Sequence, residues 1–120
     1  IYRQLFEEPR KRLFNAEVEV TLLPLLAYNY SRLLGLERRY EECIEVATLG
    51  QNSCIKHNKC RFLGGLLLNI AYAQHELGQD DECKLNLIDS YYANRLMKNA
   101  SSCMVVKKYA LDALGIDLET

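Results

Sequence analysis

The sequence predicts an all-α fold built from repeated helical hairpins, and three observations carry that reading. Apolar residues recur at the i, i+3, i+4, i+7 spacing of one helical face through most of the chain. Sliding the chain on itself by 40 residues places Leu23 on Leu63, Leu26 on Leu66, Asn29 on Asn69, Glu42 on Glu82 and Cys43 on Cys83. The same slide pairs small residues, Ser31 with Ala71, Cys43 with Cys83 and Gly50 with Ser90. That pattern is expected where a helix must lie close against its neighbour in both copies.

Taken in order, the first copy opens at Pro24, which suits the first position of a helix because its missing N–H costs nothing there. Leu26, Tyr30, Leu33 and Leu34 then share a face, so a helix is expected from about Pro24 to Leu36. Glu37-Arg38-Arg39 reads as a polar turn, and Tyr40, Cys43, Ile44 and Ala47 line a partner helix that reaches about Lys56. The second copy offers a helix from Leu63 to Leu77, a left-handed stop at Gly78, and a partner from near Asp80 to about Met97. Ser101 or Ser102 is expected to cap a last helix, Cys103 to Leu114, ended by Gly115. The repeats thus fall at about 23–60 and 63–98, with a C-terminal helix at about 101–115, inside one domain spanning 1–120. Residues 1–22 are less regular: Pro9 argues for a helix start or break, and Glu17-Val18-Glu19-Val20 alternates like a strand. Surrounded by helical pattern, they are read as helical.

Length and charge narrow the function. A chain of 120 residues suits one domain, and 49% apolar with 26% charged residues is a folding composition. Fifteen Lys and Arg against sixteen Asp and Glu give a net charge of -1, without the basic excess that nucleic-acid backbones demand. The longest apolar stretch, Phe62 to Ala73, is broken by Gly64, Gly65 and Asn69 and falls short of the roughly 20 residues a membrane span needs. No membrane partner is expected. No signal-peptide pattern is visible, and five Cys at 43, 54, 60, 83 and 103 form no tight framework, so reduced thiols in a cytoplasmic protein are expected. The opening Ile1-Tyr2-Arg3-Gln4 has no initiating Met, and the chain reads as a piece of a longer protein.

Helix pairs of this length, with small residues at three fixed places, resemble tetratricopeptide repeats. Tyr30, Ser31, Leu34, Tyr40, Cys43, Ala47 and Gly50 stand where that consensus alternates large and small residues. The second copy offers Ile70, Ala71, Gln74, Asp80, Cys83, Leu87 and Ser90, departing at Gln74 and Asp80, where an aromatic is usual. The period of 40 also exceeds the usual length of about 34. A tighter resemblance covers roughly residues 22–118. The strings Leu22-Leu23-Pro24-Leu25-Leu26-Ala27-Tyr28-Asn29-Tyr30, Arg39-Tyr40-Glu41-Glu42-Cys43-Ile44-Glu45 and Gly65-Leu66-Leu67-Leu68-Asn69-Ile70-Ala71-Tyr72 look like the C-terminal region of Firmicute transcriptional regulators. Those proteins join an N-terminal XRE-type helix-turn-helix to tetratricopeptide-like repeats, and some relatives respond to small signalling peptides. The resemblance implies a right-handed α-α superhelix, a sensor and dimerisation role in a bacterial transcriptional regulator, and DNA contact only through a domain outside this chain. A homodimer and a small peptide or protein segment are the implied partners. A stand-alone interaction scaffold is the competing reading.

In stacked helix pairs the first helix of each pair lines a concave surface that can take an extended peptide. Asn29 and Asn69 hold the same place in successive copies, and a carboxamide offers donor and acceptor to a peptide backbone. Arg32, Tyr72 and, in the last helix, Tyr109 are expected to face the same groove, with Tyr28, His75 and Glu76 close by. The competing reading is that the two Asn bond between neighbouring helices and hold no ligand.

Other motifs point less far. Cys54-x2-His57-x2-Cys60 has metal-ligand types, but a tetrahedral site needs a fourth ligand and the only other His is His75. Packed thiols are the better reading, so no metal or other cofactor is expected. The chain carries no Gly-rich phosphate loop, G-x-S-x-G or H-E-x-x-H, and no catalytic activity is expected. Arg10-Lys11-Arg12, flanked by Glu7, Glu8 and Glu17, reads as a solvated face. Tyr91, Tyr92, Leu96, Met97, Val105 and Val106 would give the C-terminal helices an apolar surface suited to dimer contact, unless they pack inward to cap the stack.

Overall fold

The computed structural model describes residues 16–119, and the side chains of 22–119. In chain order these residues form α1 (Ala16–Leu36), α2 (Tyr40–Lys56), α3 (Leu63–Glu76), α4 (Asp80–Leu96) and α5 (Ala100–Leu114), with no strand among the described residues. The 40-residue register of the sequence reappears in the boundaries. α1 and α3 end at Leu36 and Glu76, and α2 and α4 run from Tyr40 and Asp80 to Lys56 and Leu96.

The turns are more regular than the helices. One residue beyond each of the first four helices takes positive φ: Arg38 at 64°, Asn58 at 54°, Gly78 at 80° and Lys98 at 55°. A left-handed residue therefore falls every 20 positions. At each one its own N–H bonds the carbonyl three residues back and the next N–H the carbonyl five back, as in Arg38 to Gly35 (3.1 Å) and Arg39 to Leu34 (2.9 Å). The same pair recurs after α2, α3 and α4, for example from Asn99 to Asn94 at 3.0 Å. This is the Schellman closure, which satisfies carbonyls the helix end leaves open. The sequence announces it only at Gly78, because Arg38, Asn58 and Lys98 hold the conformation against their own Cβ.

α1 pairs with α2 and α3 with α4, and the second helix of each hairpin packs on the first helix of the next, α2 on α3 and α4 on α5. The small residues make these approaches possible. Ser31, Ala71, Cys43, Cys83 and Ser90 are fully buried. A Cβ on Gly50 would lie 2.6 Å from the Cβ of Ala27, so α1 and α2 touch backbone to backbone there. Ser90 fills the matching place in the second hairpin and donates its hydroxyl to Gly64 O at 2.6 Å, tying α4 to α3. One core cluster gathers Leu26, Tyr30, Leu34, Val46, Leu66 and Ile70, and a second gathers Ala71, Cys83, Leu87, Tyr91, Val106 and Ala110. α3 serves both, with Leu66, Ile70 and Ala73 in the first and Ala71 and Leu68 on the second.

The structure corrects several expectations. Pro24 lies inside α1 and is buried, so the helix does not start there. One lost backbone bond is outweighed by the packing of Leu23, Leu26 and Ala27 into the first core cluster. The alternating Glu17-Val18-Glu19-Val20 stretch is helical, as expected from its surroundings, while Pro9 and Arg10-Lys11-Arg12 lie outside the described residues. Neither Ser101 nor Ser102 caps α5. Asn99 does, its side-chain oxygen accepting the Ser102 N–H at 3.1 Å, because the left-handed turn at Lys98 leaves residue 99 at the cap. Tyr91 and Val106 point inward at 6% and 1% exposure, whereas Tyr92, Leu96, Met97 and Val105 stay exposed. Among the described residues no helix is long and apolar enough to cross a membrane.

Candidate functional site

The first helices of successive hairpins bring their equivalent faces together. Ser31, Arg32, Gly35 and Leu36 of α1, Cys43 of α2, Leu68, Asn69 and Tyr72 of α3, and Tyr109 of α5 enclose a cavity of about 200 Å³. The Tyr72 ring lies over Gly35, at ordinary contact distance (3.4 Å) from where a Gly35 Cβ would stand. Tyr72 is the middle of an aromatic row, its centroid 6.0 Å from that of Tyr40 and 6.2 Å from that of Tyr109. The row joins α2, α3 and α5 across the cavity.

Four of the seven sequence-predicted residues therefore meet, namely Arg32, Asn69, Tyr72 and Tyr109. Arg32 is exposed at the cavity's edge, and no carboxylate pairs with it among the described residues. Tyr109 occupies the place in α5 that Asn29 and Asn69 hold in α1 and α3, since 69 plus 40 is 109. Its hydroxyl is buried with no hydrogen-bond partner among the described residues, and burial pushes its pKa up from the ordinary phenol value. Burial also raises that of Tyr72, helped by the neighbouring Tyr40 hydroxyl.

The two Asn behave differently. Asn69 donates its side-chain N–H groups to Tyr28 O at 3.2 Å and to Ser31 Oγ at 2.9 Å. Its amide thus holds α3 to α1, as the helix-bonding alternative had it, while its Oδ1 accepts no hydrogen bond among the described residues. Asn29 is half-buried and makes no side-chain hydrogen bond among them. Tyr28 stands outside the cavity, its ring over Gly65 and 6.0 Å from that of Phe62. His75 turns to α4, its Nδ1 2.9 Å from Asp80 Oδ1, with its ring edge-on to Tyr109 at 6.3 Å. Glu76 is exposed.

Sequence reasoning did not place Gly35, Leu36, Leu68 or Tyr40 at this site. Gly35 carried a signal, because a Gly in the last turn of a helix is either a stop or a close approach, and the stop falls instead at Arg38. The thiols are packing groups. Burial pushes Cys43, Cys54 and Cys83 up to about 11, far from the thiolate a nucleophile or metal ligand needs. Among the described residues no group of three His, Cys, Asp or Glu is placed to hold a metal ion. The chain matches no protein-family model, no curated protein and no solved structure. The reading of this site rests on its own geometry.

Proposed function

We propose that this chain is a right-handed superhelix of tetratricopeptide-like hairpins that serves as the sensor domain of a bacterial transcriptional regulator and takes a small peptide, or a short segment of a protein, in the groove lined by α1, α3 and α5. The observation that carries the reading is the cavity itself. It lies on the first helices of three successive repeat units, and it combines apolar and aromatic walls with an unpaired cation at its edge, the mixture that recognition pockets use. Arg32 would meet a carboxylate of the ligand, the Oδ1 of Asn69 would meet its backbone, and the Tyr72 and Tyr109 rings would bracket an apolar side chain. DNA contact belongs to a separate domain. Two copies would meet on the exposed Tyr92 and Leu96 surface of α4, and the ligand would act by preferring one arrangement of that pair, since equal affinity for both shifts nothing.

The test is capture of a pooled, labelled heptapeptide library by the folded chain, followed by anisotropy titration of each enriched peptide. Enriched peptides should lose about tenfold in affinity with Arg32→Ala, a loss of about 1.4 kcal/mol, and little with Asn29→Ala, which lies outside the cavity. Both side chains lie outside the core clusters, so their removal leaves folding intact. No enriched peptide, or affinities unmoved by Arg32→Ala, would overturn the proposal.

A further inference from the structure

A second recognition surface lies at the far end of the stack and is independent of the groove. The 40-residue register aligns Pro24, Ala27 and Ser31 of α1 with Gly64, Leu67 and Ala71 of α3 and with Met104, Lys107 and Leu111 of α5. In α1 and α3 all of these residues are buried, with Ala27 against Gly50 of α2 and Gly64 against Ser90 and Asn94 of α4. In α5 the same face is open: Met104 is 69% and Leu111 56% exposed.

The open face continues into a trough of about 350 Å³ between α4 and α5, whose lining includes Tyr91, Arg95, Lys98, Met104, Lys107 and Glu119. Three of those six carry positive charge, and the Arg95 guanidinium lies 5.8 Å from the Tyr91 ring centroid. The chain's own tail shows what the trough accepts. Beyond the left-handed Gly115 it turns back, Leu118 packs on the second core cluster, and the Glu119 carboxylate accepts from the Tyr91 hydroxyl at 2.7 Å and from Lys107 Nζ at 2.8 Å. A carboxylate of the chain itself is thus already seated in the trough.

We propose that the open face of α5 and its cationic trough form a docking surface for an acidic amphipathic helix of a partner protein, lying where a second hairpin helix would lie, with apolar residues on Met104 and Leu111 and carboxylates on Arg95, Lys98 and Lys107. Helix-in-groove recognition uses this combination of apolar anchors and flanking charge. Met104 and Leu111 stand where α3 has Gly64 and Ala71, so the facing residues of the partner must be small. A second copy of this chain fits poorly. Two α5 helices paired about a twofold axis between Met104 and Leu111 would set Lys107 and Lys108 against their own counterparts, and juxtaposed like charges oppose association. Glu119 occupies Lys107 until the partner displaces it.

The probe is a labelled synthetic helix of 17 residues, the length of α2 and α4, with Ala and Leu along one face and Glu on both flanks. A control peptide carries Lys in place of Glu. Anisotropy with the whole chain should show binding of the acidic peptide only, weakened about tenfold by Lys107→Glu and strengthened about threefold by Glu119→Gln, which releases Lys107. Met104→Asp, at an exposed position, should also abolish binding while leaving the helical circular dichroism unchanged. Equal binding of the Lys peptide, no binding of the acidic one, or indifference to Glu119→Gln would overturn the proposal. So would sedimentation of the parent chain as a dimer that Met104→Asp converts to a monomer, because the face would then belong to a second copy.

Discussion

Adding one methyl group at Gly50 tests the account of how α1 and α2 pack. The Cβ of Gly50→Ala would stand 2.6 Å from the Ala27 Cβ and 3.0 Å from Leu66 Cδ2. Leu66 can rotate away, but the Ala27 methyl is fixed to its backbone, so the two helices must part. Overpacking of this kind costs about 1–3 kcal/mol, and the immovable partner argues for the upper half of that range. The better helix propensity of Ala returns about 1 kcal/mol. A net loss of about 1–2 kcal/mol is expected, lowering Tm by roughly 5 °C in a domain of this size. Thermal and urea melts followed by far-ultraviolet circular dichroism would measure it. Adding Ala27→Gly removes the opposing methyl, so the double variant should be more stable than the sum of the two single effects by about 1 kcal/mol. A Gly50→Ala chain that melts at or above the parent temperature, or a strictly additive double variant, would refute the contact.

Arg38→Gly and Lys98→Gly should each stabilise the chain by about 0.5–1 kcal/mol in urea, because both positions already hold positive φ; destabilisation by either would remove the turn argument. Cys43, Cys54 and Cys83 should resist iodoacetamide in the folded chain and react once urea unfolds it. Their stabilising share is complete below pH 9.0, where unfolded thiols begin to ionise, and is lost as pH rises towards about 11, where the folded ones do. Stability should therefore fall across that window, and less steeply for Cys83→Ala; an identical slope would count against burial as the cause. Tyr109→Phe should leave stability unchanged or raise it by up to about 1 kcal/mol, since the hydroxyl it removes is buried without a partner. A clear loss in urea would mean that the hydroxyl is bonded after all.

Much of the architecture was legible in the sequence. The apolar spacing announced α2 to α5 within a few residues, and the recurrence of Ser31, Cys43 and Gly50 as Ala71, Cys83 and Ser90 announced the close approaches. Pro24 misled, because a local rule about helix starts cannot see the packing of Leu23 and Leu26 that carries α1 through it. Three of the four left-handed turns stayed hidden, since Arg, Asn and Lys do not advertise positive φ as Gly does. At the cavity, Arg32, Asn69, Tyr72 and Tyr109 were legible from the expectation that the first helices of stacked pairs line one groove. The different fates of Asn29 and Asn69 were not, because their surroundings differ: Asn69 faces Tyr28 O and Ser31 Oγ across a helix interface, and among the described residues no such pair faces Asn29. A repeat in sequence specifies equivalent positions, and the neighbours then assign each position its task.

The left-handed residues at 38, 58, 78 and 98 give the molecule a metre of twenty. The helices differ in length, but the span from one left-handed residue to the next is constant, so every face beyond a turn is phased by the count before it. One residue inserted in the middle of α3 would rotate the remainder of that helix by about 100°. Tyr72 would leave the aromatic row, and Ala71 would leave the core. Length can change without such dephasing in whole measures of one hairpin, or beyond Gly115, where the metre has already ended.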